Sequence, residues 1–170
     1  MKNIAVRYAL IVFAISVVWT LTEHALGFNT TRHDIGQYTR QVPAFIFYGS
    51  IVLAIWQLRK SQQNSLRYGQ GILLGLNLTM IYASLLTIWY ALYAEVINKQ
   101  FQSSLLAFRE AQYAQSGASA DNLAEQLRID TLSSGGSLGS YVLLFAILLL
   151  FGLCVSVVAG LALRKRPKLG

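Results

Sequence analysis

Four long apolar runs alternate with polar connections along the chain. Each approaches the roughly 20 residues that a helix needs to cross a bilayer core. The runs cover about residues 4–26, 42–58, 69–96 and 139–163. The last is the clearest: from Val142 to Leu163 no residue is charged, and the basic run Arg164-Lys165-Arg166-Pro167-Lys168 stops it. Such a helix satisfies its own backbone donors and acceptors in lipid. The pattern predicts an all-α, polytopic membrane four-helix bundle, one domain over 1–170, with an extracytoplasmic helical segment between the third and fourth spans.

The first run starts with Lys2 and Arg7 and ends in Trp19, Glu23 and His24, which read as an interfacial anchor. Ala25-Leu26-Gly27 also fits a signal-peptide cleavage site, but the length of the apolar part favours a retained first span. Gly27 to Gln41 reads as a polar connection, in which Asn29-Thr30-Thr31 matches a glycosylation acceptor that has meaning only in a secretory pathway. Pro43 opens the second span, where first-turn amides have no intrahelical partner to lose. Trp56 marks that span's interface. The basic loop Arg59 to Arg67 follows, and the third span begins near Gly69. Helical periodicity continues past it through Phe101, Leu105 and Phe108. Ser116-Gly117-Ala118-Ser119 breaks that extension. Asp121 to Ile129 reads as a short helix, with Ser119 or Asp121 as cap and Leu123 and Leu127 on one face. Ser133-Ser134-Gly135-Gly136-Ser137 is a flexible hinge, so residues 98–137 make up the outer segment.

Composition supports this picture and charge orients it. The 170 residues are 55% hydrophobic and 12% charged, against about 25% charged in soluble domains. The net charge of +7 raises nucleic acid as a partner. The bases, however, sit at the ends of apolar runs rather than along one face, so the expected partner is the lipid bilayer and no nucleic acid. Place both termini and the Arg59–Arg67 loop inside. The inside then holds Lys2, Arg7, Arg59, Lys60, Arg67, Arg164, Lys165, Arg166 and Lys168, and no acid. The outside holds five bases and all seven acids. Basic excess beside span ends sets orientation, which predicts cytoplasmic N- and C-termini. The single cysteine, Cys154, lies within a span and has no intrachain partner.

Candidate chemistry is sparse. Glu23-His24 and His33-Asp34 bracket one loop with four metal-capable side chains. Zinc accepts such ligands only at fixed geometry, and this spacing matches no zinc pattern. An interfacial loop is the simpler reading, with no metal and no cofactor expected. The chain has no Gly-x-Ser-x-Gly elbow, phosphate-cradling glycine loop or His-Glu-x-x-His, so no catalytic residue is assigned and no enzyme is expected. Gly71 and Gly75, and Gly152, Ser156 and Gly160, are small residues one helical turn apart, a pattern that lets helices approach closely within the bundle or a homo-oligomer. Asn77, Ser84, Thr87 and Glu95 form a polar face on the third span, opposite Gly71, Gly75, Tyr82, Trp89 and Tyr93. A transporter or channel would need such a row, but interhelical hydrogen bonding explains it with less. Phe101, Leu105 and Phe108 form a narrow apolar stripe. It suits a protein partner better than anionic lipid, because the surrounding segment is acidic.

Several stretches together resemble a known family. They are Lys2-Asn3 to Arg7-Tyr8, Tyr68-Gly69-Gln70-Gly71, Ile81-Tyr82-Ala83, Tyr90 to Asn98 with Phe101, and Leu149 to Lys165. The chain resembles the uncharacterised four-span bacterial membrane protein family known as domain of unknown function 4199, over nearly its whole length. That resemblance implies a retained first span and a bacterial inner (plasma) membrane location, and it implies no activity. Family members often carry Asn-Pro-Asp-Phe where this chain has Asn98-Lys99-Gln100-Phe101. Loss of the proline predicts a third helix that runs uninterrupted into the outer segment. The expected function is that of a structural or accessory subunit, or a helix-packing partner, in a homo-oligomer or membrane complex. The alternative is a small oligomeric transporter or channel using the polar face of the third span.

Overall fold

The computed structural model describes residues 2–63, 65–116, 120–133 and 136–164. Over these residues the chain is all-α: α1 (Lys2–Ala25), α2 (His33–Thr39), α3 (Val42–Ser61), α4 (Tyr68–Leu92), a π-helical turn (Tyr93–Ile97), α5 (Phe101–Gln115), α6 (Ala120–Ser133) and α7 (Leu138–Leu163). Among the described residues four stretches are long and apolar enough to cross a membrane: Asn3–Ala25, His33–Ser61, Tyr68–Ile97 and Leu138–Leu163. The tail bases Lys165, Arg166 and Lys168, the break at Gly117-Ala118-Ser119 and the hinge residues Ser134-Gly135 lie outside the described residues. Asp121 sits inside α6 rather than capping it.

The chain divides into two compact units. One comprises Met1–Ser16, Val42–Leu85 and Ile147–Gly170, and the other Val17–Gln41 and Leu86–Ala146. The first unit is packed by size. Its core includes Ala5, Ala9 and Val12 of α1, Phe47, Ile51 and Ile55 of α3, and Leu74, Leu78 and Tyr82 of α4. Phe47 stacks on Tyr82 with ring centroids 4.2 Å apart, and the Tyr82 hydroxyl meets Ser16 Oγ at 3.0 Å. The two small-residue stripes face each other in antiparallel order. A Cβ on Gly71 would meet Gly160 Cα at 3.3 Å, one on Gly75 would run into the Ser156 side chain, and one on Gly152 would run into Thr79. In lipid no hydrophobic force drives helices together, so close backbone approach and van der Waals contact do that work. The Ser156 hydroxyl donates to the Gly152 carbonyl at 2.6 Å and so leaves no unpaired donor in the contact.

The second unit is held by polar bonds around a small hydrophobic core of Tyr93, Phe101 and Leu105, with Trp89 against it. Its first element ends on a Schellman motif. Phe28 N–H donates to the Glu23 carbonyl at 2.8 Å and Gly27 N–H to the His24 carbonyl at 3.0 Å. Gly27 sits at φ +79°, the left-handed position that glycine adopts without a Cβ penalty. Ala25-Leu26-Gly27 thus has a structural role as a helix end. The predicted polar connection 27–41 contains α2, which approaches the Phe28 carbonyl so closely that a Cβ on Gly36 would overlap it.

Two expectations fail here for local reasons. The third helix does not continue uninterrupted: it widens into the π turn, and Asn98 leaves helical geometry at φ −125°, ψ 71° before α5 starts. Asn98 N–H closes the π turn on the Tyr93 carbonyl at 2.7 Å. The stripe Phe101, Leu105 and Phe108 is not an exposed partner surface either. Phe101 and Leu105 are buried in the unit's own core, and Phe108 packs against the His33 ring. α6 folds back on α5, where the Tyr113 hydroxyl donates to Asp130 at 2.8 Å. That bond pushes the Tyr113 phenol above its usual pKa, with burial adding to the shift.

Candidate functional site

The most concentrated polar chemistry in the chain lies in the second unit. It begins with Glu23, near the end of α1, a carboxylate only 3% exposed. Burying a carboxylate is costly unless it is hydrogen-bonded or paired. Glu23 Oε1 accepts from Thr39 Oγ1 at 2.5 Å, at the end of α2, and Oε2 from Asn29 Nδ2 at 3.4 Å. The Thr39 carbonyl in turn accepts from Trp19 Nε1 at 3.1 Å, so one residue ties α2 to α1 twice. Arg40 attracts Glu23 electrostatically without a direct ion pair among the described residues. Asn29 is buried, and its Oδ1 has no hydrogen-bond partner among the described residues. Its amide is therefore sequestered, which removes it as a glycosylation acceptor in this fold.

A second chain of bonds joins the π turn to α1. Asn98 Nδ2 donates to the Asn29 carbonyl at 2.9 Å and to Tyr93 Oη at 3.1 Å. Tyr93 Oη then lies 3.1 Å from His24 Nδ1. The Tyr93 hydroxyl, which accepts from Asn98, donates to Nδ1 in the Nε2–H tautomer of His24 and accepts from it in the Nδ1–H tautomer. π turns occur often where a side chain must be re-aimed, and here the extra residue brings Tyr93 and Asn98 onto the same partner loop.

His33 forms the third group. Nε2 is 2.9 Å from Ser104 Oγ, and Arg40 Nη2 is 3.4 Å from Nδ1. Ser104 Oγ donates to the Phe101 carbonyl at 3.0 Å, so it accepts from His33, and the guanidinium can only donate into Nδ1. Both contacts fit the Nε2–H tautomer, in which Nε2 donates and Nδ1 accepts. The ring packs on Phe101 and Phe108, while the Arg40 guanidinium lies over the Phe101 ring at 5.4 Å and its Nε donates to the Gly36 carbonyl. Arg109 of α5 reaches Gln37 of α2 at 3.4 Å. α5 is therefore attached to α2 by both stacking and hydrogen bonds.

The sequence-predicted residues divide sharply. Glu23, His24 and His33 join this cluster, each with a different partner, while Asp34 stays exposed on α2. Among the described residues no three His, Cys, Asp or Glu side chains converge as metal ligands. Gly71, Gly75, Gly152, Ser156 and Gly160 pack inside the first unit, as described above. The polar face of the third span is not one site: Asn77 is half-buried, and Ser84 is exposed and donates back to the Met80 carbonyl. Glu95 accepts from the Tyr141 hydroxyl at 3.1 Å, and Thr87 Oγ1 is buried without a partner among the described residues. Asn29, Thr39, Arg40, Tyr93, Asn98 and Ser104 carry much of the cluster and were not singled out as site residues. The one available signal was the stretch Asn98-Lys99-Gln100-Phe101, where the resemblance sets Asn-Pro-Asp-Phe against this chain and so marks the end of the third helix.

Four apolar helices, with a hydrogen-bonded polar cluster among the ends of two of them and their connections, define an all-α multi-pass membrane protein. A family model described as Protein of unknown function (DUF4199) matches residues 7–165, and the chain belongs to that family. No curated protein and no solved structure matches the chain.

Proposed function

We propose that the chain is a non-catalytic structural or accessory subunit of the bacterial inner membrane, with both termini and the Arg59–Arg67 loop in the cytoplasm. The observation that supports this reading is how the polar cluster is used. Glu23–Thr39, Asn98–Asn29, Tyr93–His24 and His33–Ser104 each join two different elements of the same chain. Such bonds favour one arrangement of the connecting segments, as a subunit that presents a fixed surface requires. With Phe101 and Leu105 turned inward, the outward face of the α5–α6 hairpin is the surface left for a protein partner. It carries Glu110, Glu125 and the half-exposed Ile129.

The test is in-membrane photo-crosslinking from position 122, exposed two turns before Ile129 on α6, combined with co-purification. A defined adduct that disappears with Ile129→Asp in the same helix supports the reading. No adduct from any outward position of α5 or α6 overturns it. A second reading, a small oligomeric transporter or channel, draws on Thr87 Oγ1, whose buried hydroxyl on the third span lacks a partner among the described residues. Solute or ion flux in proteoliposomes that Thr87→Val abolishes would favour that reading instead.

A further inference from the structure

The first unit holds an apolar groove of about 420 Å³ between α3 and the C-terminal half of α7. Val52 lines it from α3; Cys154, Val158, Ala159, Ala162 and Leu163 line it from α7. Leu163 lies nine steps along the helix from Cys154, so the groove runs about 13 Å along α7 at 1.5 Å per residue. Its walls are apolar and exposed: Val158 is 67% exposed and Val52 41%. Both helices run toward the same end of the unit, α3 finishing at Ser61 and α7 at Leu163.

That end is basic. Leu163 of the groove is followed by Arg164, which lines a second, polar pocket of about 540 Å³ with Ser65, Arg67 and Tyr68. On α3, Trp56 and Lys60 follow Val52 at successive four-residue steps and so continue its face. Lys60 Nζ lies 3.8 Å from the Trp56 ring centroid, which holds the ammonium at the level of an interfacial aromatic. Among the described residues no carboxylate is within salt-bridge distance of Lys60, Arg67 or Arg164. The sequence explains why: no Asp or Glu occurs between Asp34 and Glu95, or after Asp130.

We propose that this groove and its basic mouth bind one anionic phospholipid, the acyl chain lying along α7 and the phosphate meeting Arg164 and Arg67. A straight apolar channel in lipid is wetted by any acyl chain and gives no selectivity by itself. The unpaired guanidiniums supply the selectivity, because an anionic headgroup offers them acceptors and neutralises charge that no acid in this unit can neutralise. The inference stands apart from the accessory-subunit reading, since it uses no residue of the α5–α6 hairpin.

Native mass spectrometry of the full chain, released from nanodiscs of equal phosphatidylglycerol and phosphatidylcholine, tests it. The unaltered chain should retain one phosphatidylglycerol in preference to phosphatidylcholine, by about fivefold for each arginine engaged. Arg67→Gln with Arg164→Gln, both exposed positions, should bring the two lipids to near equality. Val158→Trp, also exposed, should fill the groove and reduce retention of both. Equal retention by the unaltered chain, or an undiminished preference in the double arginine variant, overturns the proposal. Efficient Cys154–Cys154 crosslinking between copies in the membrane overturns it as well, by assigning the groove to a second chain.

Discussion

The two units of this chain solve the same problem with opposite chemistry. The first contains nine of the fourteen bases and no acid, and its helix contacts are made by glycine, alanine and serine. The second contains all seven acids with the other five bases, and its contacts are made by hydrogen bonds between side chains far apart in sequence. In the first, a side chain that is too large is the error to fear. In the second, it is a side chain that leaves a partner unpaired. The difference follows from the surroundings each set of residues can count on. Helices in lipid gain little from apolar burial, so they associate where small residues allow contact. Connecting segments have irregular backbone whose donors and acceptors must find partners, and polar side chains provide them.

This contrast can be broken most directly at Gly75. Gly75→Leu places a side chain where Ser156 already lies, and it should destabilise the first unit by about 3 kcal/mol or more. Thermal unfolding in detergent is the measurement. Ser156→Ala at the facing position should be far milder, since its hydroxyl bonds only within α7. If Gly75→Leu is tolerated, close packing does not hold this unit. In the second unit, Phe101→Ala removes the centre of the hydrophobic core and should cost about 3 kcal/mol, read as faster hydrogen exchange through α5. Little change in exchange would return Phe101 to the role of a surface residue.

Smaller effects sharpen the polar half of the comparison. Glu23→Ala leaves the Thr39 hydroxyl only the Gly36 carbonyl at 3.5 Å and deprives the Asn29 amide of its carboxylate acceptor, and should cost about 2 kcal/mol, whereas Glu23→Gln keeps an acceptor for Thr39 and should recover most of it. Equal loss in both variants would mean that charge, not hydrogen bonding, is what this position supplies. Asn98→Ala should cost about 1 kcal/mol and loosen the π turn, visible as increased proteolysis between α4 and α5. Glu125→Gln breaks a fully exposed i,i+3 pair with Arg128 and should change stability by nothing measurable. A clear loss there would show that the α5–α6 hairpin depends on surface charge.

The amino-acid sequence by itself determined the four apolar helices and the division of charge. A helix in lipid must meet its needs within one contiguous stretch, so twenty neighbouring residues carry the information. The small-residue stripes were equally legible as stripes, but their partners were not. Only the tertiary structure matched Gly71 to Gly160 and Gly75 to Ser156, because a stripe reports that close approach is allowed and not what approaches. The polar cluster was least legible. His24 and Tyr93, Asn29 and Asn98, and His33 and Ser104 are separated by 69, 69 and 71 residues. Nothing local distinguishes such residues from ordinary polar groups at a membrane interface. Phe101, Leu105 and Phe108 show the same limit from the apolar side. Their spacing set one face of a helix, and the π turn with Asn98 aimed that face inward, a rotation that depends on a partner loop 69 residues away.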